Sequence, residues 1–118
     1  MNFPGELLDE LLNMVREALN LPRSAVSILE TLFREGEATI EKIVRLTNIS
    51  RKTVHEHLKR MRSLGLVRRK PSEARGRLIY VYSPAPFSET ITLLKSVFRE
   101  KLRWLEELER NLRGGGDE

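Results

Sequence analysis

The stretch from residue 49 to residue 67, ISRKTVHEHLKRMRSLGLV, constrains the fold of this chain more than any other. Ser50 is a typical helix N-cap, because its hydroxyl can accept a hydrogen bond from a backbone N–H of the first turn. Apolar residues then recur at spacings of four and three, at Val54, Leu58 and Met61. Gly65 is typical of the left-handed residue that ends a helix. The stretch therefore predicts a short helix with one apolar face that turns sharply into a strand.

The solvent face of this predicted helix is basic, and the positive charge continues beyond it. Residues 51–77 contain ten lysines and arginines against two glutamates, a net charge of +8. Residues 1–50 contain five bases and eight acids, and residues 78–118 contain six bases and seven acids. A polyanion is the partner that best explains this concentration. The alternative is a solvated surface that is basic by coincidence, which the overlap of charge and motif disfavours.

Composition limits the chemistry and the compartment. The chain has no cysteine, which excludes disulfides, zinc–cysteine sites and thiol chemistry. The absence of glutamine and a charged fraction of 32% favour a thermophilic source. No apolar run approaches a membrane span and no signal sequence is evident, so we expect a cytoplasmic protein.

Three helices are predicted before residue 49. The first spans residues 5–19, and its apolar sector is wide enough to contact a second element or a second chain. The second runs from Pro22, as its first residue, to Glu35. After a short extended piece at residues 37–38, the third spans residues 40–46 with Thr39 as its cap. Its predicted buried residues are Ile40, Ile43, Val44 and Leu46. Two short helices joined by a few turn residues, the second amphipathic and basic, define a helix-turn-helix.

A β-hairpin is predicted after Gly65. Two β-prone runs, residues 66–70 and 77–83, are separated by a Pro-, Ser- and Gly-containing turn at 71–76. Arg75 and Arg77 flank the glycine at its tip. This hairpin has the features of a wing.

A last helix is predicted from about residue 86 to residue 112. Its apolar positions fit an a/d heptad register, with Lys101 as the one polar interruption. At about 1.5 Å per residue it outruns the preceding domain, so its apolar stripe needs a partner. We expect a dimer interface made by Leu8, Leu11, Val15, Ile91, Leu94, Phe98, Leu105, Leu108 and Leu112.

With these elements in order, the chain resembles archaeal and bacterial winged helix-turn-helix transcriptional regulators of the TrmB-like and MarR-like groups. The matching residues run from Leu21 to Ser83, and the specific phrase is S-R-K-T-V-x-x-x-L-x-x-M-x-x-x-G-L-V, from Ser50 to Val67. The expected fold is mainly α with a small β-hairpin. Residues 1–20 form an N-terminal dimerisation helix, 21–83 the winged helix-turn-helix domain, 84–113 a long coiled-coil-like dimerisation helix, and 114–118 a disordered tail.

The resemblance implies that a recognition helix at residues 50–64 enters the major groove of DNA and that a wing at 68–77 contacts the backbone or minor groove. It implies base-edge contacts by the first turns of the helix and phosphate contacts by Lys59 and Arg60. The complete predicted DNA-binding set is Ser50, Arg51, Lys52, Thr53, His55, Glu56, Lys59, Arg60, Arg68, Arg69, Lys70, Arg75 and Arg77.

Individual residues leave alternatives open. Glu56 could accept from cytosine N4, but an ion pair with Lys52 or Arg60 one turn away is favoured. His55 and His57 point to different sides of the helix, so no metal site is predicted. Trp104 could stack on a ligand, although a place in a dimer core is favoured. No catalytic set and no cofactor motif is found, so we do not expect an enzyme.

The favoured function is a homodimeric, sequence-specific regulator that binds double-stranded DNA. A winged-helix protein–protein interaction module is the first alternative, and the basic segment argues against it. A non-specific chromatin-type DNA binder is the second. A small-molecule effector could bind between the winged domains and the helical interface, but the sequence identifies none.

Overall fold

The computed structural model describes residues 5–116. Within them, five helices and one hairpin follow in the order α1 (Gly5–Leu19), α2 (Arg23–Glu35), α3 (Ile40–Thr47), α4 (Arg51–Ser63), β1 (Val67–Ala74), β2 (Arg77–Pro84) and α5 (Phe87–Gly116). The predicted fold class, a mainly α winged helix-turn-helix with an N-terminal helix and a long C-terminal helix, is confirmed. Each helix in the described part of the chain is too short or too polar to cross a bilayer.

Side-chain caps begin the two helices of the helix-turn-helix, as the sequence predicts. The Thr39 hydroxyl accepts a hydrogen bond from the Lys42 backbone N–H at 3.2 Å at the start of α3. The Ser50 hydroxyl accepts one from the Thr53 backbone N–H at 3.2 Å at the start of α4. Each cap satisfies a donor that has no partner inside its helix.

Backbone conformation ends α4 and begins α2. Gly65 has a φ of +83°, and the Leu66 N–H donates to the Met61 carbonyl at 2.9 Å, which confirms the predicted end of α4. Pro22, expected as the first residue of α2, is its N-cap instead, with a ψ of 159°. Its backbone is extended while its carbonyl already accepts from the Val26 N–H at 3.2 Å.

The core lies between α1, α2, the apolar face of α4 and the base of the hairpin. Its most completely buried apolar residues are Val15, Ile28, Leu29, Leu32, Ile43, Val54, Leu58, Met61 and Leu66. The predicted apolar face of α4 is therefore confirmed. In α3, however, Ile43 is fully buried whereas Leu46 is 51% exposed. The predicted burial of Leu46 is wrong, because it lies in the last turn of this short helix, beyond the residues that pack on the core.

The hairpin is longer than predicted and its turn is shorter. β1 and β2 pair antiparallel from Val67 opposite Pro84 to Ala74 opposite Arg77. Only Arg75 and Gly76 form the turn, with φ values of +54° and +73°, the pair of positive angles that a type I′ turn requires. The predicted turn at residues 71–76 is therefore wrong for 71–74, which belong to β1.

One further contact and one free edge define this small sheet. Ala38 and Tyr82 exchange two backbone hydrogen bonds of 2.8 Å, so Ala38 of the predicted extended piece forms an isolated β-bridge beside β2. Among residues 5–116, β1 has a neighbouring strand on one side only, and Pro71 is tolerated in it because a sheet edge needs no second set of N–H donors.

Helix α5 packs on the domain only through its first turns. The ring of Phe87 stacks on that of Phe33 with centroids 4.8 Å apart, and Leu94 is buried. Residues 98–114 are all exposed, because this part of the helix projects beyond the domain. The molecule is 72 Å long. The helix continues to Gly116, beyond the predicted end at residue 113, since glycine weakens a helix without breaking its hydrogen bonds as proline does. Residues 117–118 of the predicted tail lie outside the described residues.

Candidate nucleic-acid interface

A basic trough runs between α4 and the hairpin. It consists of two neighbouring concavities that share His55, Arg69 and Tyr82, one beside α4 and the other towards the hairpin tip. The bases that line it are Arg51, His55, Lys59, Arg62, Arg69, Arg75 and Arg77. The acids that line it are Glu41 and Glu56. The trough therefore carries a strong positive potential.

Helical spacing gives α4 its contribution to this trough. His55, Lys59 and Arg62 follow at intervals of four and three residues, which places them on one side of the helix. Arg62 is absent from the predicted DNA-binding set. Its signal was present in the sequence, because it shares the helical side of two residues that were included.

Strand alternation divides the basic residues of β1 between two faces of the hairpin. Arg69 faces the trough, with its guanidinium carbon 4.0 Å from the ring centroid of Tyr80. Arg68 and Lys70 lie on the other face, because successive strand residues point to opposite sides. Arg68 Nη2 donates to the carboxylate of Glu89 at 2.5 Å, and Lys70 Nζ lies 3.3 Å from Glu37. The structure therefore separates Arg68 and Lys70 from the other predicted wing contacts.

The turn presents two arginines at the far end of the trough. Arg75 occupies the turn itself and Arg77 is the first residue of β2. In the described part of the chain no carboxylate pairs with either guanidinium. Both remain available to an anionic partner.

Arg60 points away from the trough. Its Nη2 atom lies 3.4 Å from the carbonyl oxygen of Leu19 and 3.5 Å from that of Asn20, where it can donate to the end of α1. A cation at the C-terminus of a helix interacts favourably with the helix dipole. The structure thus gives Arg60 a contact inside the protein, and the ion pair expected between Arg60 and Glu56 is not formed.

The residues of the first turn of α4 have two roles: some form the helix cap and others present charge to solvent. The Ser50 and Thr53 hydroxyls are 2.9 Å apart and belong to the cap. Lys52 is exposed, and Arg51 lies 3.4 Å from Glu41 of α3. Within residues 5–116, Glu56 has no ion pair, so the expected pair with Lys52 is also wrong. Glu56 is exposed on the trough side.

His57 lies on the side of α4 opposite His55. Its Nε2 atom is hydrogen-bonded to the Ser24 hydroxyl of α2 at 2.7 Å. Burial lowers the pKa of the His57 imidazole below its ordinary value of 6.5, the charge of Glu56 raises it, and that of Arg60 lowers it further. The residue therefore joins α4 to α2 in its neutral form.

A second surface, the α1–α5 groove, is apolar. It has a volume of about 490 Å³ and is lined by Leu7, Glu10, Leu11, Met14, Ile91, Leu94, Lys95, Phe98, Arg99 and Leu102. Of the predicted dimerisation residues, Ile91 and Phe98 are each 40% exposed, and Leu105, Leu108 and Leu112 are exposed farther along α5.

Other predicted dimerisation residues are covered by the protomer itself. Leu11 and Leu94 line the groove but are nearly buried. Leu8 and Val15 belong to the hydrophobic core. Val15 is fully buried because the inner side of α1 packs on the same molecule, so its assignment to a dimer interface is wrong, whereas those of Leu8, Leu11 and Leu94 stay predictions.

Comparison with known proteins identifies relatives of the whole arrangement. The model of the MarR family matches residues 19–78. An uncharacterised protein of Methanocaldococcus jannaschii is 32% identical over 91 residues, which cover 73% of this chain and 69% of that protein. The solved structure of a possible transcriptional regulator from Methanosarcina mazei Go1 superposes with a TM-score of 0.72 at 14% identity, covering 86% of this chain and 85% of that one.

A further solved structure is that of TrmBL2, described as an archaeal chromatin protein with a novel mode of DNA binding. It superposes with a TM-score of 0.66 at 14% identity, covering 93% of this chain and 39% of that one. These matches confirm the resemblance inferred from residues 21–83. At such low sequence identities, the solved structures show only that the fold is shared.

Proposed function

Because the chain belongs to the MarR family, we propose that it is a sequence-specific, DNA-binding transcriptional regulator that acts as a homodimer. The observation that carries the proposal is the basic trough, in which seven basic side chains from α4 and the hairpin line two adjoining concavities. A polyanion that contacts α4 and the hairpin at once would neutralise most of these charges.

The dimensions of B-DNA suit this arrangement. Its major groove, about 12 Å wide, admits one α-helix, and α4 is the exposed basic helix of the fold. If α4 lies in the major groove and the hairpin tip lies in the adjacent minor groove, the sugar–phosphate backbone between the two grooves passes over the trough. Lys59, Arg62 and Arg69 would then face phosphates.

Residues at the two ends of the trough would contact the grooves. In this arrangement Lys52 and Arg51 lie at the N-terminal end of α4, where a recognition helix contacts base edges. Arg75 and Arg77 would reach the minor groove or its phosphates. Glu56 would repel phosphate, and we assign it a positioning role among neighbouring bases.

The exposed stripe on α5 supports the homodimer. Phe98, Leu105 and Leu108 would remain in water in an isolated molecule, and a second copy would cover them. A dimer places two α4 helices on the same DNA. The two half-sites of the operator are then expected about 34–36 Å apart, and the operator should be near-palindromic. The protein would act on the nucleoid.

Selection of bound DNA from genomic fragments tests this proposal. Enrichment of a near-palindromic motif supports a regulator, and affinity should fall steeply with salt because phosphate contacts release counterions. Binding without an enriched motif would indicate a chromatin-type binder, the description given for TrmBL2. No binding at low salt would contradict the proposal and favour the protein–protein module.

Two adjacent residues of β1 provide a matched control. Arg69→Gln removes a charge from the trough and should weaken DNA binding, whereas Lys70→Gln removes one from the opposite face of the hairpin and should change it less. Equal losses would mean that the trough is not the binding surface.

A further inference from the structure

Leu78 is an exposed apolar side chain in a basic part of the molecule. It is 68% exposed, the largest exposed fraction among the large apolar residues of the described chain. It lines the trough close to the hairpin turn, together with Arg75 and Arg77. Packing within the protomer therefore gives no reason for an apolar residue at this position.

Strand geometry places Leu78 at the outer end of a row of side chains on β2. Residues two apart on a strand share a face, and Leu78, Tyr80 and Tyr82 all line the trough. Tyr82 is buried at the base of the hairpin, and the guanidinium of Arg69 lies over the ring of Tyr80. The row thus becomes more exposed towards the tip, where Leu78 faces whatever enters the trough.

The charges around Leu78 favour DNA as the occupant. Arg75 and Arg77 adjoin it, and within residues 5–116 neither forms an ion pair with a carboxylate. Glu73 lies directly opposite Leu78 on β1, so the tip carries two positive charges and one negative charge. In the arrangement proposed above, this tip lies in the minor groove, whose negative potential attracts arginine most strongly where A·T pairs narrow the groove.

A leucine at this place would distinguish base pairs because it has no hydrogen-bonding group. In the minor groove A·T pairs present only acceptors, whereas a G·C pair adds the amino donor of guanine. Arg75 and Arg77 can donate to the acceptors, but Leu78 would cover the amino group without accepting from it, and an unpaired buried donor is costly. Glu73 can accept hydrogen bonds, but its charge is repelled by the phosphates that border the groove.

We propose that Leu78 packs against the minor groove of DNA and makes the hairpin tip select A·T over G·C pairs. This rests on the proposed function and adds a residue that determines specificity in the minor groove. The two elements of the trough then recognise DNA by different means: α4 by hydrogen bonds in the major groove, and the tip by excluding an amino group. A·T pairs are expected wherever the tip contacts the operator.

Inosine substitution tests this proposal. A genomic fragment that the full-length protein retains is prepared in two forms, one with guanine and one with inosine at every guanine position. Inosine lacks only the minor-groove amino group, so the major-groove edges and the phosphates stay the same. We expect the wild type to bind the inosine form roughly fivefold more tightly or better.

Two variants of Leu78 assign this gain to its side chain. Leu78→Ala truncates the contact and should lose most of the gain, while the salt dependence of binding stays unchanged because no ionic contact is lost. Leu78→Asn supplies an amide oxygen that can accept from the amino group, so it should bind the guanine form at least as tightly as the inosine form. Leu46→Ala is the matched control and should keep the full gain, because Leu46 is 51% exposed on α3 and lies outside the residues that line the trough.

The contrary outcomes are distinct. Equal binding of the two forms by the wild type overturns the proposal. A full gain in Leu78→Ala also overturns it, because the gain would then arise from the arginines and the narrower groove alone. Both results leave the proposed function standing, since the wild type still retains the fragment. If no fragment is retained at low salt, both proposals are contradicted.

Discussion

The guanidinium of Arg69 lies over the ring of Tyr80, with its central carbon 4.0 Å from the ring centroid. Arg69 is on β1 opposite Tyr82, and Tyr80 is two residues along β2, so the two side chains are diagonal neighbours on one face of the hairpin. The contact holds Arg69 in the trough. Its neighbours Arg68 and Lys70 are held by carboxylates on the other face.

The first prediction concerns this contact. Tyr80→Leu keeps an apolar side chain but removes the aromatic face, so Arg69 should lose its preferred orientation. An exposed cation–π contact contributes about 0.5–1 kcal/mol, so we expect DNA affinity to fall roughly two- to fivefold. Fluorescence anisotropy with a DNA duplex at several salt concentrations measures this affinity.

Arg69→Ala is the comparison for Tyr80→Leu. It should weaken DNA binding more than Tyr80→Leu does. It should also reduce the salt slope, the slope of the logarithm of the binding constant against the logarithm of the salt concentration, by about one, because a phosphate contact is lost. Tyr80→Leu should leave that slope unchanged. A reduced slope for Tyr80→Leu would contradict its positioning role.

The second prediction compares two arginines of α4. Arg62 lines the trough, whereas Arg60 reaches the end of α1. Arg62→Ala should weaken DNA binding and lower the salt slope by about 0.9 for one phosphate contact. Arg60→Ala should leave the slope unchanged and lower the free energy of unfolding, by about 0.3–1 kcal/mol for a cation at a helix terminus. The assignment fails if Arg60→Ala changes the slope as much as Arg62→Ala does.

Local sequence signals predicted most of the fold. Ser50 marks the start of α4 and Gly65 marks its end. Both could be predicted because a cap and a left-handed residue act on the adjacent turn, without help from distant residues. The hairpin turn was harder to predict from the sequence. Arg75 has a φ of +54°, uncommon for a residue with a side chain, while Pro71 is usual in turns but here lies in an edge strand.

The candidate site was harder to predict because long-range contacts divide its residues. Arg60 and Arg62 look alike in the sequence, and only the position of α1 separates their roles. Arg68 is paired with Glu89, 21 residues away, a contact that no local pattern indicates. Charge density thus identified the segment that contains the trough, while tertiary packing decided which side chains line it.

The third prediction concerns the cap of α4. Ser50→Ala removes the acceptor for the Thr53 N–H, and loss of such a cap costs about 0.5–2 kcal/mol. Urea denaturation should show this loss in the free energy of unfolding. Ser63→Ala, at the other end of the helix, is the control, because the exposed Ser63 hydroxyl bonds to a carbonyl of its own helix. An equal loss in both variants would mean that capping does not explain the effect.

The last prediction is a pH dependence of stability that arises from His57. Burial lowers the pKa of this imidazole in the folded protein, so below pH 6.5 the unfolded chain binds more protons than the folded one. The contribution of neutral His57 is therefore fully present above its unfolded pKa and is lost as the pH falls through 6.5 towards the lowered value. Between about pH 7.5 and about pH 5.5, the urea midpoint of the wild type should fall more than that of His57→Gln. Because the two proteins differ only at residue 57, the difference isolates His57, and midpoints that fall in parallel would contradict the assignment.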